Sequence, residues 1–193
     1  MIRVGITGGM GCGKSTVMAE FHRLGVPCFV SDIVAASYYN DIFFLDGLRA
    51  LLGNDVFIDD VTVDKRAVAA KVFADKTLLQ GLNAMIHPRI MDDFNHFCLQ
   101  HSDEPYVLFE SAILYDYGFD RLMDKVICVY LDFDERLQRL KLRDGVGEEA
   151  IRARIANQLP AEEIMMKADY VILNYEGNPR RRQVEYIDKL LKQ

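Results

Sequence analysis

The chain has 193 residues, 50% of them hydrophobic, and a net charge of −6. That length buries one substantial core with room for a small appended lobe, not two independent domains. The acidic surplus argues against a generic nucleic-acid binder, which needs a broad cationic face to replace phosphate counterions, and no apolar run approaches membrane-spanning length.

Ile2 to Thr7 reads as a strand running straight into glycines, with neither the long apolar region nor the cleavage site of a signal peptide. A helix is expected from Lys14 to about Leu24, stopped by Gly25, and a second strand over Cys28 to Ser31. The long stretch that follows reads as helices around Phe44 to Leu52, Asp64 to Phe73, Thr77 to Ile86 and Pro88 to Gln100. Strands then recur at Tyr106 to Glu110 and Lys125 to Leu131, and the unbroken apolar character of the latter fits burial on both faces. Asp132 is placed to cap a helix reaching about Arg143, with Glu135 as a carboxylate version of the capping box. Gly145 and Gly147 break the pattern before helical stretches at Glu148 to Gln158 and Ala161 to Lys167, and Tyr170 to Asn174 supplies a last strand.

Strands alternating with helices predict an α/β fold with a parallel sheet joined by right-handed crossovers. A single domain is expected, with a core over 1–34, 104–143 and 168–193, a helical insertion for the acceptor over 35–103, and a lid over 144–167. The four scattered cysteines, Cys12, Cys28, Cys98 and Cys128, form no CxxC pair or Cys/His cluster, which suits free thiols in the cytoplasm.

Residues Gly8 to Ser15 read GGMGCGKS, a match to GxxxxGK[ST] placed after a strand and at the start of a helix. Gly9, Gly11 and Gly13 let the backbone approach phosphates closely, so that successive N–H groups, that of Cys12 among them, form an anion nest at the positive end of a helix dipole. Lys14 is then placed to reach the β- and γ-phosphates of ATP, Ser15 to ligate Mg²⁺, and Thr16 to donate to the α-phosphate. Phosphoryl transfer also needs a carboxylate for the incoming hydroxyl, and Asp32 stands at the end of the neighbouring strand. The plainer alternative is that Asp32 caps a helix beginning at Ile33. Glu110, at the end of the third strand, has a weaker claim of the same kind, through water to the metal.

Arg139 and Arg143 are four apart and share a helix face on which they could clamp phosphate charge, or simply face water. Residues 136 to 154 carry six Lys or Arg against three Asp or Glu, a local cationic surplus in an acidic chain, which favours the clamp. Cys12 lies inside the loop, where positive potential is expected to lower its pKa and expose it to oxidation. The histidines show no ligand spacing, and Arg180 to Arg182 are expected to begin a solvated helix.

Taken together these residues resemble the dephospho-coenzyme A kinase family over nearly the whole chain. GITGGMGCGKST is similar to the family's opening, with Cys12 where Ser is usual, and SDIVA resembles its acidic strand end, which puts the catalytic base on Asp32. KRAVAAKVF and LNAMIHP, ending at His87 and Pro88, resemble its acceptor-binding insertion. ESAILYD is similar to a segment that usually carries a proline where Ala112 stands, RLKLRD to its arginine-bearing helix, RIANQ to its cover, and ADYVILN, ending at Asn174, to its last strand. Ala36 and Val30 replace an arginine and an acidic residue common near the base.

The resemblance implies a P-loop NTPase fold with five parallel strands, an acceptor lobe contributing His87, and nucleotide contacts that include Asn174. It implies ATP-dependent phosphorylation of the ribose 3′-hydroxyl of dephospho-coenzyme A, by a monomer or small homo-oligomer with no nucleic-acid or membrane partner. Another P-loop kinase acting on a nucleoside, nucleotide or small metabolite stays open at this point, as does a nucleotide-controlled switch. Against the switch, NKxD is absent and the only DxxG match, Asp144 to Gly147, follows a helix rather than a strand.

Overall fold

The computed structural model describes residues 1–145, 147–156 and 158–193; Val146 and Asn157, both within the expected lid, lie outside the described residues. The strands are β1 (Ile2–Thr7), β2 (Cys28–Val30), β3 (Tyr106–Glu110), β4 (Lys125–Tyr130) and β5 (Tyr170–Leu173), in the spatial order β2-β3-β1-β4-β5. β1 pairs in parallel with both β3 and β4, and β4 with β5, so the strand that delivers the glycine loop is the central one. Every residue of β3 is buried, as the missing alternation along these strands requires.

Contacts divide the chain into two compact units, Met1–Phe29 with Gln100–Gln193, and Val30–Leu99. The first carries the sheet with α1 (Lys14–Arg23), α6 (Phe133–Asp144), α7 (Glu148–Ile155), α8 (Ala161–Lys167) and α9 (Arg180–Leu191). Its core is built on Val4, Ile6, Val107, Leu108, Phe109, Ile127 and Val129, all fully buried. Tyr106 Oη donates to Asp188 at 2.7 Å and ties α9 to the sheet. Asp132 caps α6 as its sequence predicts, accepting from the Glu135 amide at 3.0 Å.

The second unit is helical: α2 (Ser31–Ser37), α3 (Ile42–Leu52), α4 (Lys65–Ala74) and α5 (Lys76–Gln100). Asp41 caps α3 and Asp64 caps α4. Tyr38 Oη donates to Asp93 at 2.6 Å, and Arg89 pairs with Asp41 while lying over the Tyr38 and Phe44 rings. One expectation fails here. The two helices read on either side of Pro88 are a single helix, α5. Pro88 removes a backbone hydrogen bond at a cost of about 3 kcal/mol. Leu82 before it and Ile90 and Phe94 after it are all buried, each worth about 1.5–3 kcal/mol, and their shared face offsets the loss.

Candidate active site

The loop between β1 and α1 is shaped by what lies behind it. Gly13 takes a left-handed backbone (φ 88°), and a Cβ there would fall 2.2 Å from Asn174 Nδ2, so conformation and space both demand glycine. At Gly9 the constraint is space alone: a Cβ would fall 2.5 Å from the Arg136 guanidinium carbon, so the guanidinium would have to shift. No side chain caps α1, which leaves the positive end of its dipole on the loop, and Ser15 and Thr16 stand exposed in its first turn. Lys14 Nζ donates to the Gly8 carbonyl at 3.0 Å and lies 3.8 Å from Glu110 Oε1.

Asn174, just past β5, is the brace. It is buried, and its Nδ2 donates to the Cys12 carbonyl at 2.7 Å while its Oδ1 accepts from Arg180 Nη1 at 3.0 Å. Its own carbonyl accepts from Arg139 Nη2 at 2.8 Å. Arg139 therefore meets the loop's C-terminal end through Asn174, with Nη1 3.5 Å from where a Gly13 Cβ would stand. Arg180, expected in water, is half-buried instead because it completes this network.

Arg143 is placed differently. It is exposed at the last turn of α6 and pairs with Asp144 at 2.6 Å, which also lies 3.4 Å from Arg154. The i, i+4 spacing sets both arginines on one helix, but among the described residues Arg139 bonds into the loop network whereas Arg143 bonds to Asp144. Glu110 is buried at the carboxyl end of β3, in register with Ile6. In the helical unit, Asp32 is exposed in the first turn of α2, which starts at Ser31 after Val30 and has no side-chain cap, so the capping alternative does not describe it. His87 is half-buried in α5, and burial lowers its pKa.

Cys12 overturns its expectation. Burial raises the pKa of its thiol, and the opposing influence of Lys14 and Arg136 is too small to reverse that. A buried protonated thiol at only 1% exposure is a poor target for oxidants. The positive potential that the loop sequence suggests is present, but solvent is excluded from the sulfur.

Two contacts on the loop were not legible as site residues. Arg136 Nε donates to the Met10 carbonyl at 2.8 Å, and Gln158 Oε1 accepts from the Met10 amide at 2.9 Å, so one peptide segment is gripped from both sides. The available signal was Arg136's place in the first turn of α6, where a cation opposes the helix dipole and needs another reason to be there.

A glycine loop between the central strand of a five-stranded parallel sheet and a helix, with Lys14 upon it, defines a P-loop kinase by fold. A structure from Thermus thermophilus superposes with a TM-score of 0.87 at 28% identity, covering 98% of this chain and 96% of that one. A dephospho-CoA kinase structure from Campylobacter jejuni has the same fold, with a TM-score of 0.71 at 22% identity over 98% of this chain and 96% of that one. Residues 2–179 match the family described as dephospho-CoA kinase, and a Chlorobaculum tepidum protein of that name is 36% identical over 95% of this chain and 92% of its own length. The chain belongs to the dephospho-CoA kinase family, and it is an ATP-dependent kinase with a small-molecule acceptor.

Proposed function

We propose that the chain transfers the γ-phosphoryl group of ATP to the ribose 3′-hydroxyl of dephospho-coenzyme A, giving coenzyme A and ADP as the last step of coenzyme A synthesis. The observation that carries this reading is the braced glycine loop with Lys14 at the mouth of α1, in a chain whose family match spans residues 2–179. Amides of the loop and of the first turn of α1, other than the Met10 amide that Gln158 already holds, would bind the triphosphate together with the Lys14 ammonium. An open groove of about 550 Å³, lined by Arg139 and Arg180, which both bond to Asn174, and by Tyr175, Asn178, Glu20 and Glu176, would take the nucleoside.

Ser15 fits a Mg²⁺ ligand, because its hydroxyl is exposed in the first turn of α1 beside Lys14, and Glu110 fits a water-mediated one. When bound, the ion would neutralise phosphate charge. Asp32 would accept the hydroxyl proton or align the hydroxyl for in-line attack, with His87 in the helical unit contributing to the acceptor. Lys14, Arg139 and Arg143 would balance charge on the moving phosphoryl, and α7 and α8 would close as a lid to exclude water. The four free cysteines support a reducing, cytoplasmic setting.

An acceptor panel scored by ADP release tests the assignment. Dephospho-coenzyme A should be turned over well ahead of nucleosides, nucleotides and other small metabolites, and equal turnover of those would remove it. Asp32→Asn should keep ATP affinity while kcat falls by about 10²–10⁴; near-normal turnover would take Asp32 out of the chemistry.

A further inference from the structure

Arg136 is 3% exposed, an unusual place for a guanidinium without a carboxylate partner. Among the described residues no Asp or Glu lies within ion-pair distance of it. The groups acting on its charge are the Cys12 and Cys128 thiols, the Tyr130 hydroxyl and Glu162, and Glu162 already accepts from Tyr130 Oη at 3.1 Å. Burial pulls its pKa down, the direction expected of a cation that the fold desolvates without neutralising. Among the described residues its one hydrogen bond is Nε to the Met10 carbonyl, while both Nη atoms press on Gly9, 2.6 and 2.7 Å from where a Cβ would stand. The guanidinium is therefore held flat against the phosphate loop.

A brace alone does not need this charge. A neutral amide could donate to the Met10 carbonyl without the desolvation cost. The cost is offset if a polyanion occupies the far side of the loop, since a fixed charge in a poorly solvated setting acts at longer range than one in water. We infer that Arg136 is a positioning residue of the phosphate site: it fixes the Met10 segment and, from behind the loop, supplies a permanent positive charge that favours the most highly charged nucleotide. This rests on the nucleotide-binding reading above and deepens it. Lys14 would grip the phosphates directly, whereas Arg136 would act through the loop.

The test is calorimetric titration of ATP and ADP into wild type, Arg136→Gln and Arg136→Lys, with melting of each nucleotide-free protein. Arg136→Gln keeps a donor for Met10 but removes the charge, so ATP binding should weaken about tenfold and ADP binding about threefold. Arg136→Lys should recover most of the ATP preference. The nucleotide-free melting temperature of Arg136→Gln should equal or exceed that of wild type, because an unpaired buried cation has been removed. An unchanged ATP-to-ADP affinity ratio in Arg136→Gln would overturn the inference. So would failure of that variant to fold, since the charge would then serve the fold and not the ligand. Wild type that binds neither nucleotide would instead defeat the kinase reading beneath it.

Discussion

The phosphate loop and the neighbouring helical segment that includes α7 and α8 differ in their polar contacts, although Ile151 and Ile164 also bury apolar side chains beneath the latter. Around the loop the bonds are buried or part-buried and reach it from residues distant in sequence: Asn174 to Cys12, Arg136 and Gln158 to Met10, Arg139 to the Asn174 carbonyl. Around α7 and α8 they are surface ion pairs: Lys141 and Arg152 on Glu148, Arg143 on Asp144, Lys167 on Glu163. Exposed pairs of that kind contribute little and are screened by salt. Pre-organised phosphate binding calls for the first construction, and a segment proposed to open and close calls for the second.

The largest break in this comparison should come at the loop itself. Lys14→Ala is expected to lower kcat by about 10²–10³ with circular dichroism unchanged; a small kinetic loss would mean that the loop's amides alone carry the phosphates. Next comes the brace. Asn174→Ala deletes one buried and one part-buried side-chain bond, and denaturant unfolding should report a loss of about 1–3 kcal/mol, accompanied by weaker ATP binding.

The smallest effect belongs to the α7 and α8 segment. Glu148→Gln removes two ion pairs at once, yet its melting temperature in physiological salt should stay within error of wild type. Acid separates the two regions in another way. Bonding to Lys141 and Arg152 holds the Glu148 carboxyl below its ordinary pKa, as Arg143 does for Asp144. Their contribution is present above the usual carboxylate range and is lost as pH falls through the lowered folded values. Amide resonances of α7 should therefore shift with acidification while those of residues 8–16 hold; matching shifts in both would erase the distinction.

What could be read from the sequence follows the same division between local and tertiary causes. The strands, the glycine loop and the Asp132 cap are local patterns, and each appears where its residues predict. Unbroken α5 was hidden because Pro88 is a local stop signal that only packing on both sides of it overrides. Cys12 departs from its expectation for the same reason: neighbours in sequence announce positive potential, but burial is a property of the assembled fold. Arg136 looked like one more cation in a basic stretch, and Arg180 like a solvated one, because the partners of each, Met10 and Asn174, are named only by tertiary contact.

The central claim is most directly tested by incubating the protein with ATP, Mg²⁺ and dephospho-coenzyme A and resolving the products by mass and phosphorus NMR. Coenzyme A carrying its new phosphate on the ribose 3′-oxygen should form in step with ADP, and Lys14→Ala should form almost none. ADP release with the acceptor left unchanged would contradict the account.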